Sequence, residues 1–266
     1  MSVIAAAVCP HPPVLLPEAA SGAAGELDDL RAACDAAVRR LLAARPDAVL
    51  VVGSDVRTGR YGPSARGSFR PYGVDVVVRL GGPDHEAGTP DGAPAGDVGS
   101  APNTGGEDRS RTDSHAELPL SLAMGAWLLS HAGADVPRLG QGVATDWPPA
   151  QCARLGAAFG ADDSRRLALL VMGDGSACRD VKAPGYHDPR AVPYDDAVAT
   201  ALGAADVAAL LDLDPVLSAE LKVAGRAPWQ VLSGAVRASG GAWRGSLDFY
   251  AAPYGVAYFV ATWEPA

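Results

Sequence analysis

The sequence predicts an α/β fold: one domain with a central, mostly parallel sheet flanked by helices. Two observations predict it. The first 55 residues read strand, helix, strand, the opening of a βαβ unit. A third apolar run, 167–172, repeats the pattern of the first two, and all three end in polar turns. The chain's 266 residues, 48% of them hydrophobic and 20% charged, are enough for one well-buried core.

Residues 3–8 form the first apolar run and lead into the proline-stiffened turn Cys9-Pro10-His11-Pro12-Pro13. An imidazole in a stiff turn past a strand is held in fixed geometry, as a metal site or an acid/base site requires. Residues 26–44 are the clearest helix, with Leu27, Leu30, Cys34, Ala37, Val38 and Leu41 on one apolar stripe. Acids begin it, Arg39 and Arg40 lie near its end, and Pro46 marks its stop. Residues 48–52 read as a buried parallel strand ending in Gly53-Ser54-Asp55.

Residues 73–80 read as another strand. The Gly-, Pro- and Asp-rich segment 81–111 reads as a flexible loop that interrupts the domain without dividing it, and His85 within it as a solvated loop residue. Helices are expected at 117–131 and 148–159, with His131 compensating the dipole of the first and His115 just before it. Strand 167–172 ends in Gly173-Asp174-Gly175-Ser176. Residues 191–238 read as helical with breaks near Gly203, at 212–215 and at 225–228. Residues 246–251 and 256–263 read as a hairpin through Pro253-Tyr254-Gly255. In open α/β sheets ligands gather at the carboxyl ends of strands, and three such ends carry His11, Asp55 and Asp174.

A net charge of −9 argues against nucleic acid and anionic membrane as partners. No apolar run approaches the ~20 residues that cross a bilayer, and the N-terminal segment lacks the basic leader of a signal peptide. Four scattered cysteines without a CxxC pair indicate neither a disulfide framework nor a zinc finger, so a cytoplasmic setting is expected.

Three kinds of site suit these residues. A mononuclear metal could take His11, an oxygen from Asp55 or Asp174, and a further group from His115, His187 or Glu220. Cys9 with His11, or Cys178, could bind Zn or Cu or form a thiolate nucleophile. Ser176 is a poor hydrolase nucleophile, because Asp174 and Cys178 stand where a nucleophile elbow needs small residues.

Together these segments resemble the class III extradiol ring-cleavage dioxygenases of the catalytic B-subunit (LigB-like) type, to which Memo proteins are related. The likeness rests on Cys9-Pro10-His11-Pro12-Pro13, on the 47–52 strand with Gly53-Ser54-Asp55, and on His115-Ala116-Glu117-Leu118-Pro119-Leu120. Met172-Gly173-Asp174-Gly175-Ser176 and Ala224-Gly225-Arg226-Ala227-Pro228-Trp229 with Gly234-Ala235 extend it. The resemblance implies a metal-dependent oxygenase of aromatic catabolism, with Fe(II) on two histidines and a glutamate, a catechol-like substrate, and a histidine base.

Carried over residue by residue, His11 is the first ligand and Asp55 the nearest group to the second. Glu220 is the carboxylate, His115 the substrate-side histidine, and His187, eleven residues after Ser176, the substitute base, with Asp174 counted among the catalytic residues. Val56 and Arg57 stand where the second ligand histidine is expected, and Ala177 and Cys178 where the base is. One histidine with two carboxylates is a harder site that suits Mg or Mn as well as Fe. The alternative is a degenerate, Memo-like binding protein, metal-free or holding Zn or Cu through His11 with Cys9 or Cys178. A small aromatic ligand and a homodimer or partner subunit complete the expectations.

Overall fold

The computed structural model describes residues 3–20, 25–82, 117–161 and 165–266. Its central sheet has seven strands in the order β3-β6-β2-β7-β1-β9-β8. In chain order these are β1 (Val3–Cys9), β2 (Ala48–Asp55), β3 (Gly59–Tyr61), β6 (Arg138–Ala144), β7 (Leu167–Met172), β8 (Trp243–Ala251) and β9 (Tyr258–Pro265). The core β6-β2-β7-β1 is parallel, and β3, β9 and β8 join it antiparallel. This is the mixed α/β architecture, with a mostly parallel sheet, that the sequence predicts.

Both faces of the sheet are buried, because alternate residues of each strand point to opposite sides. Ala48, Leu50 and Val52 of β2 face one cluster with α4 (Pro149–Gly160), α5 (Ala191–Ala204) and α8 (Arg226–Ser239). Val49 and Val51 face the other, with α2 (Asp28–Ala43) and α3 (Leu120–His131). The predicted stripe of α2 is buried as expected: Leu30, Cys34, Ala37, Val38 and Leu41. A four-residue helix, α1 (Pro17–Ala20), follows the His11 turn, and α6 (Val207–Leu211) and α7 (Pro215–Glu220) fill the 205–225 region.

Helices α4 and α8 cross at backbone contact. A methyl added at Gly156 would run into the carbonyl of Val231, and one at Gly234 into that of Ala153. Arg226 at the start of α8 is buried and donates to the carbonyls of Trp147 (2.9 Å) and Thr145 and to Gln230 Oε1 (2.8 Å). It thereby ties the β6–α4 loop to the end of the sheet.

One expectation needs correction. The 73–80 strand shrinks to β5 (Val77–Arg79), which pairs only with β4 (Arg66–Ser68) in a separate ribbon. Pro71 and Gly73, whose φ is 82°, close a short helical turn at 70–72 and delay extension. β6, which no apolar run in the sequence announces, lies beside β2; its Gly140 and Gly142 interrupt the strand pattern. From residue 83 on, the predicted 81–111 loop lies outside the described residues.

Candidate functional site

β2, β7 and β1 are neighbours in the sheet, and Gly53, Met172 and Cys9 lie level across them. Two residues past that level stand Asp55, Asp174 and His11, at the carboxyl ends of three adjacent strands.

His11 and Asp174 meet directly. The His11 backbone N–H donates to Asp174 Oδ1 at 2.8 Å, and His11 Nδ1 lies 3.5 Å from the same oxygen. His11 is 7% exposed, and its Nδ1 is buried without a hydrogen-bond partner among the described residues. Burial pushes the Asp174 carboxyl above its ordinary value, and the facing His11 partly opposes that. Tyr258, at the start of β9, is buried close by; desolvation and the Asp174 charge raise its phenol well above the usual range.

Asp55 is engaged elsewhere. Its Oδ2 accepts from the Tyr61 hydroxyl at 2.6 Å and its Oδ1 from the Val56 N–H at 2.6 Å. The carboxylate leans over β6, where a methyl on Gly142 would strike it. Tyr61 is held well above the ordinary phenol range by burial and by this bond.

The other candidates are dispersed. Glu220 ends α7 at the surface, its side chain 50% exposed and paired with Arg190 Nη1 at 2.7 Å. His187 is exposed on the loop before α5. His115 and His85 lie outside the described residues. Cys9 and Cys178 are both buried, but on opposite faces of the sheet. The neighbouring Cys9 thiol, together with burial, raises the pKa of Cys34. Cys178 Sγ donates to the Leu221 carbonyl at 3.4 Å, and burial raises its thiol too. A buried thiol with a raised pKa, as at Cys178, holds little thiolate.

An unpartnered histidine nitrogen beside a carboxylate is the kind of donor pair an iron site uses. The described candidates do not complete it, because both Asp55 oxygens accept hydrogen bonds and Glu220 is held at the surface by Arg190. Among the described residues, no three His, Cys, Asp or Glu side chains are grouped to hold a metal ion.

A second polar group shares the loop after β7. Asp195 of α5, fully buried, accepts from the Ser176 N–H (2.9 Å), the Ser176 hydroxyl (2.6 Å) and Arg179 Nη1 (3.1 Å). Arg179 also donates to the Tyr250 hydroxyl at 2.8 Å, and that hydroxyl donates to Asp196 at 2.6 Å. Burial raises the Asp195 carboxyl, opposed by Ser176 and Arg179. The sequence reading missed this network. Its signal was an acid on the inward stripe of α5, between Tyr194 and Val198. Beside it, Arg179, Lys182 and Tyr254 line a cleft of about 570 Å³ between the 179–182 loop and the β8–β9 turn. Tyr254 holds a φ of 58° there.

The polar strand ends of a doubly flanked, mostly parallel sheet therefore define the class: an α/β protein with its candidate site at the carboxyl edge. No family model matches the chain, and no curated protein matches it in sequence. Among solved structures it is similar to the "uncharacterized protein JW3007 from Escherichia coli K12", with a TM-score of 0.54. That likeness covers 98% of this chain and 99% of the other at 15% identity, and it is a likeness of fold.

Proposed function

We propose that the chain is a degenerate LigB-like protein that binds a small hydroxylated aromatic at the carboxyl ends of β1 and β7. His11 and Asp174 receive the ligand's hydroxyls, and no three-residue metal centre is needed. One observation carries the reading. His11 Nδ1 is a buried polar atom without a partner, 3.5 Å from a carboxylate whose pKa burial has raised. A buried polar group left unpaired costs on the order of 1–3 kcal/mol. A ligand hydroxyl that bonds it recovers that cost. The ligand class follows from the resemblance of the His11 and Asp174 segments to the dioxygenase family. The commitment of Asp55 to Tyr61 and of Glu220 to Arg190 favours binding over metal-dependent ring cleavage.

Calorimetric titration of catechols, with metal analysis and oxygen uptake on the same preparation, tests this. Saturable binding that weakens at least tenfold in His11→Ala, without stoichiometric iron, is expected. Stoichiometric iron lost in His11→Ala, together with oxygen uptake on catechols, would overturn the proposal in favour of a ring-cleaving dioxygenase. No saturable binding by any catechol would also sink it.

A further inference from the structure

The opposite end of the sheet holds a groove that the strand-end site does not use. β1 and β9 pair only over Ala6–Val8, against Trp263, Thr262 and Ala261. Before Ala6 the two strands part, and β1 also breaks register with β7 between Val3 and Ala5. Past Trp263, β9 stays paired with β8 alone, at Glu264 and Pro265. The parting strands open into a groove of about 720 Å³ with the end of α2 as its far wall.

Three arginines line that groove: Arg40 from α2, Arg166 from just before β7, and Arg244 from β8. Among the described residues, Glu264 is the one acid in the lining. Arg40 donates to the Thr262 hydroxyl at 2.7 Å and lies 3.8 Å from Asp248 on the rim. Arg166 donates to the Ala44 carbonyl at 2.7 Å, and Arg244 lies 3.5 Å from Glu264. Each contact orients a guanidinium and leaves it other N–H donors, since the group has five. Ile4, Leu41 and Trp263 supply an apolar floor. In a chain of net charge −9, three arginines from three separate elements converge on one concave surface. Arginine forks suit phosphate and carboxylate oxygens, and such charge-assisted bonds are about twice as strong as neutral ones.

We infer that this groove is a binding site for a small polyanion bearing phosphate or carboxylate groups, separate from the His11 end. The site is carried by its side chains: three arginines from separate segments border one concave surface, and a compact anion there meets their charge.

The test uses the full chain and two probes, inorganic pyrophosphate and citrate, by calorimetry at physiological ionic strength. One-to-one binding of at least one probe is expected. Pyrophosphate alone indicates a phosphate ligand, citrate alone a polycarboxylate, and either supports the site. Arg40→Gln and Arg244→Gln should each weaken binding at least fivefold, and the double variant more than twentyfold. Both side chains are more than half exposed, so these variants keep the fold. Arg39→Gln is the charge control: it removes the same charge from the same helix outside the groove. It should change affinity less than twofold, and His11→Ala should leave it unchanged. No saturable binding of either probe, or equal weakening by Arg39→Gln and Arg40→Gln, would overturn the inference. Because the His11 variant is carried in parallel, failure here and failure of the strand-end reading are separable.

Discussion

Two polar groups grow from the same short segment after β7 and face opposite sides of the sheet. On the α2 side, Asp174 meets His11 and leaves a histidine nitrogen without a partner. On the α5 side, Ser176 and Arg179 close around Asp195, whose two oxygens take three hydrogen bonds. The second group is closed around its acid: the Asp195 charge is paired with Arg179 and both its oxygens are bonded, so it holds the loop in place. The first is unfinished, and that is what a ligand can use. A satisfied network anchors, while an unsatisfied one at a strand end binds. The rigid anchor also fixes where the open pair points, since Gly175 is all that separates Asp174 from Ser176.

The contrast can be broken from either side. Asp195→Ala should have the largest effect on stability. It strands Arg179 and the Ser176 N–H without their acceptor, and losing one partner of a buried pair costs about 3–5 kcal/mol. Urea denaturation measures it, and a loss under 1 kcal/mol would show that the network does not anchor the loop. Gly156→Ala should cost about 1–3 kcal/mol by forcing α4 off the Val231 carbonyl. It should leave ligand binding at the strand ends in place.

His11→Ala should cost only about 1 kcal/mol, because the ring's Nδ1 has no bond to lose. The same variant should abolish aromatic binding, so its stability and its affinity part company. A stability loss as large as that of Asp195→Ala would make His11 an anchor instead.

Asp174→Asn sharpens the comparison through pH. The folded carboxyl titrates above its ordinary value, so the native state binds that proton more tightly than the unfolded chain. Stability therefore falls as pH rises from about 4, the ordinary carboxylate value, through the raised one. Asparagine keeps an acceptor for the His11 N–H and carries no charge, so the variant should flatten that decline above about pH 4, the ordinary carboxylate value. An unchanged slope in urea midpoints would refute the assignment. Glu220→Gln should do least: it breaks an exposed, solvent-screened pair with Arg190, and it should leave both urea midpoint and affinity at His11 unaltered.

Much of the scaffold was legible in sequence because burial on two faces writes a continuous apolar run. β1, β2 and β7 announce themselves that way, and so does the stripe of α2. β6 did not, since a strand holding Gly140 and Gly142 carries little side-chain pattern to read. The site was legible only as a set of strand ends. His11 and Asp174 come together because β1 and β7 are adjacent and parallel, a pairing that local sequence does not state.

The sequence by itself determined the fold class, the helix stripes and the polar ends of three strands, because those follow from local periodicity and composition. Only the tertiary structure decided which polar groups are spent and which are open. Asp55 is turned toward Tyr61, Glu220 is drawn to Arg190 and Asp195 is closed by Ser176 and Arg179, while His11 Nδ1 is left unbonded. Hydrogen bonds between residues far apart in the chain depend on strand order and helix placement, and no local pattern encodes those. The convergence of Arg40, Arg166 and Arg244 on one groove has the same origin.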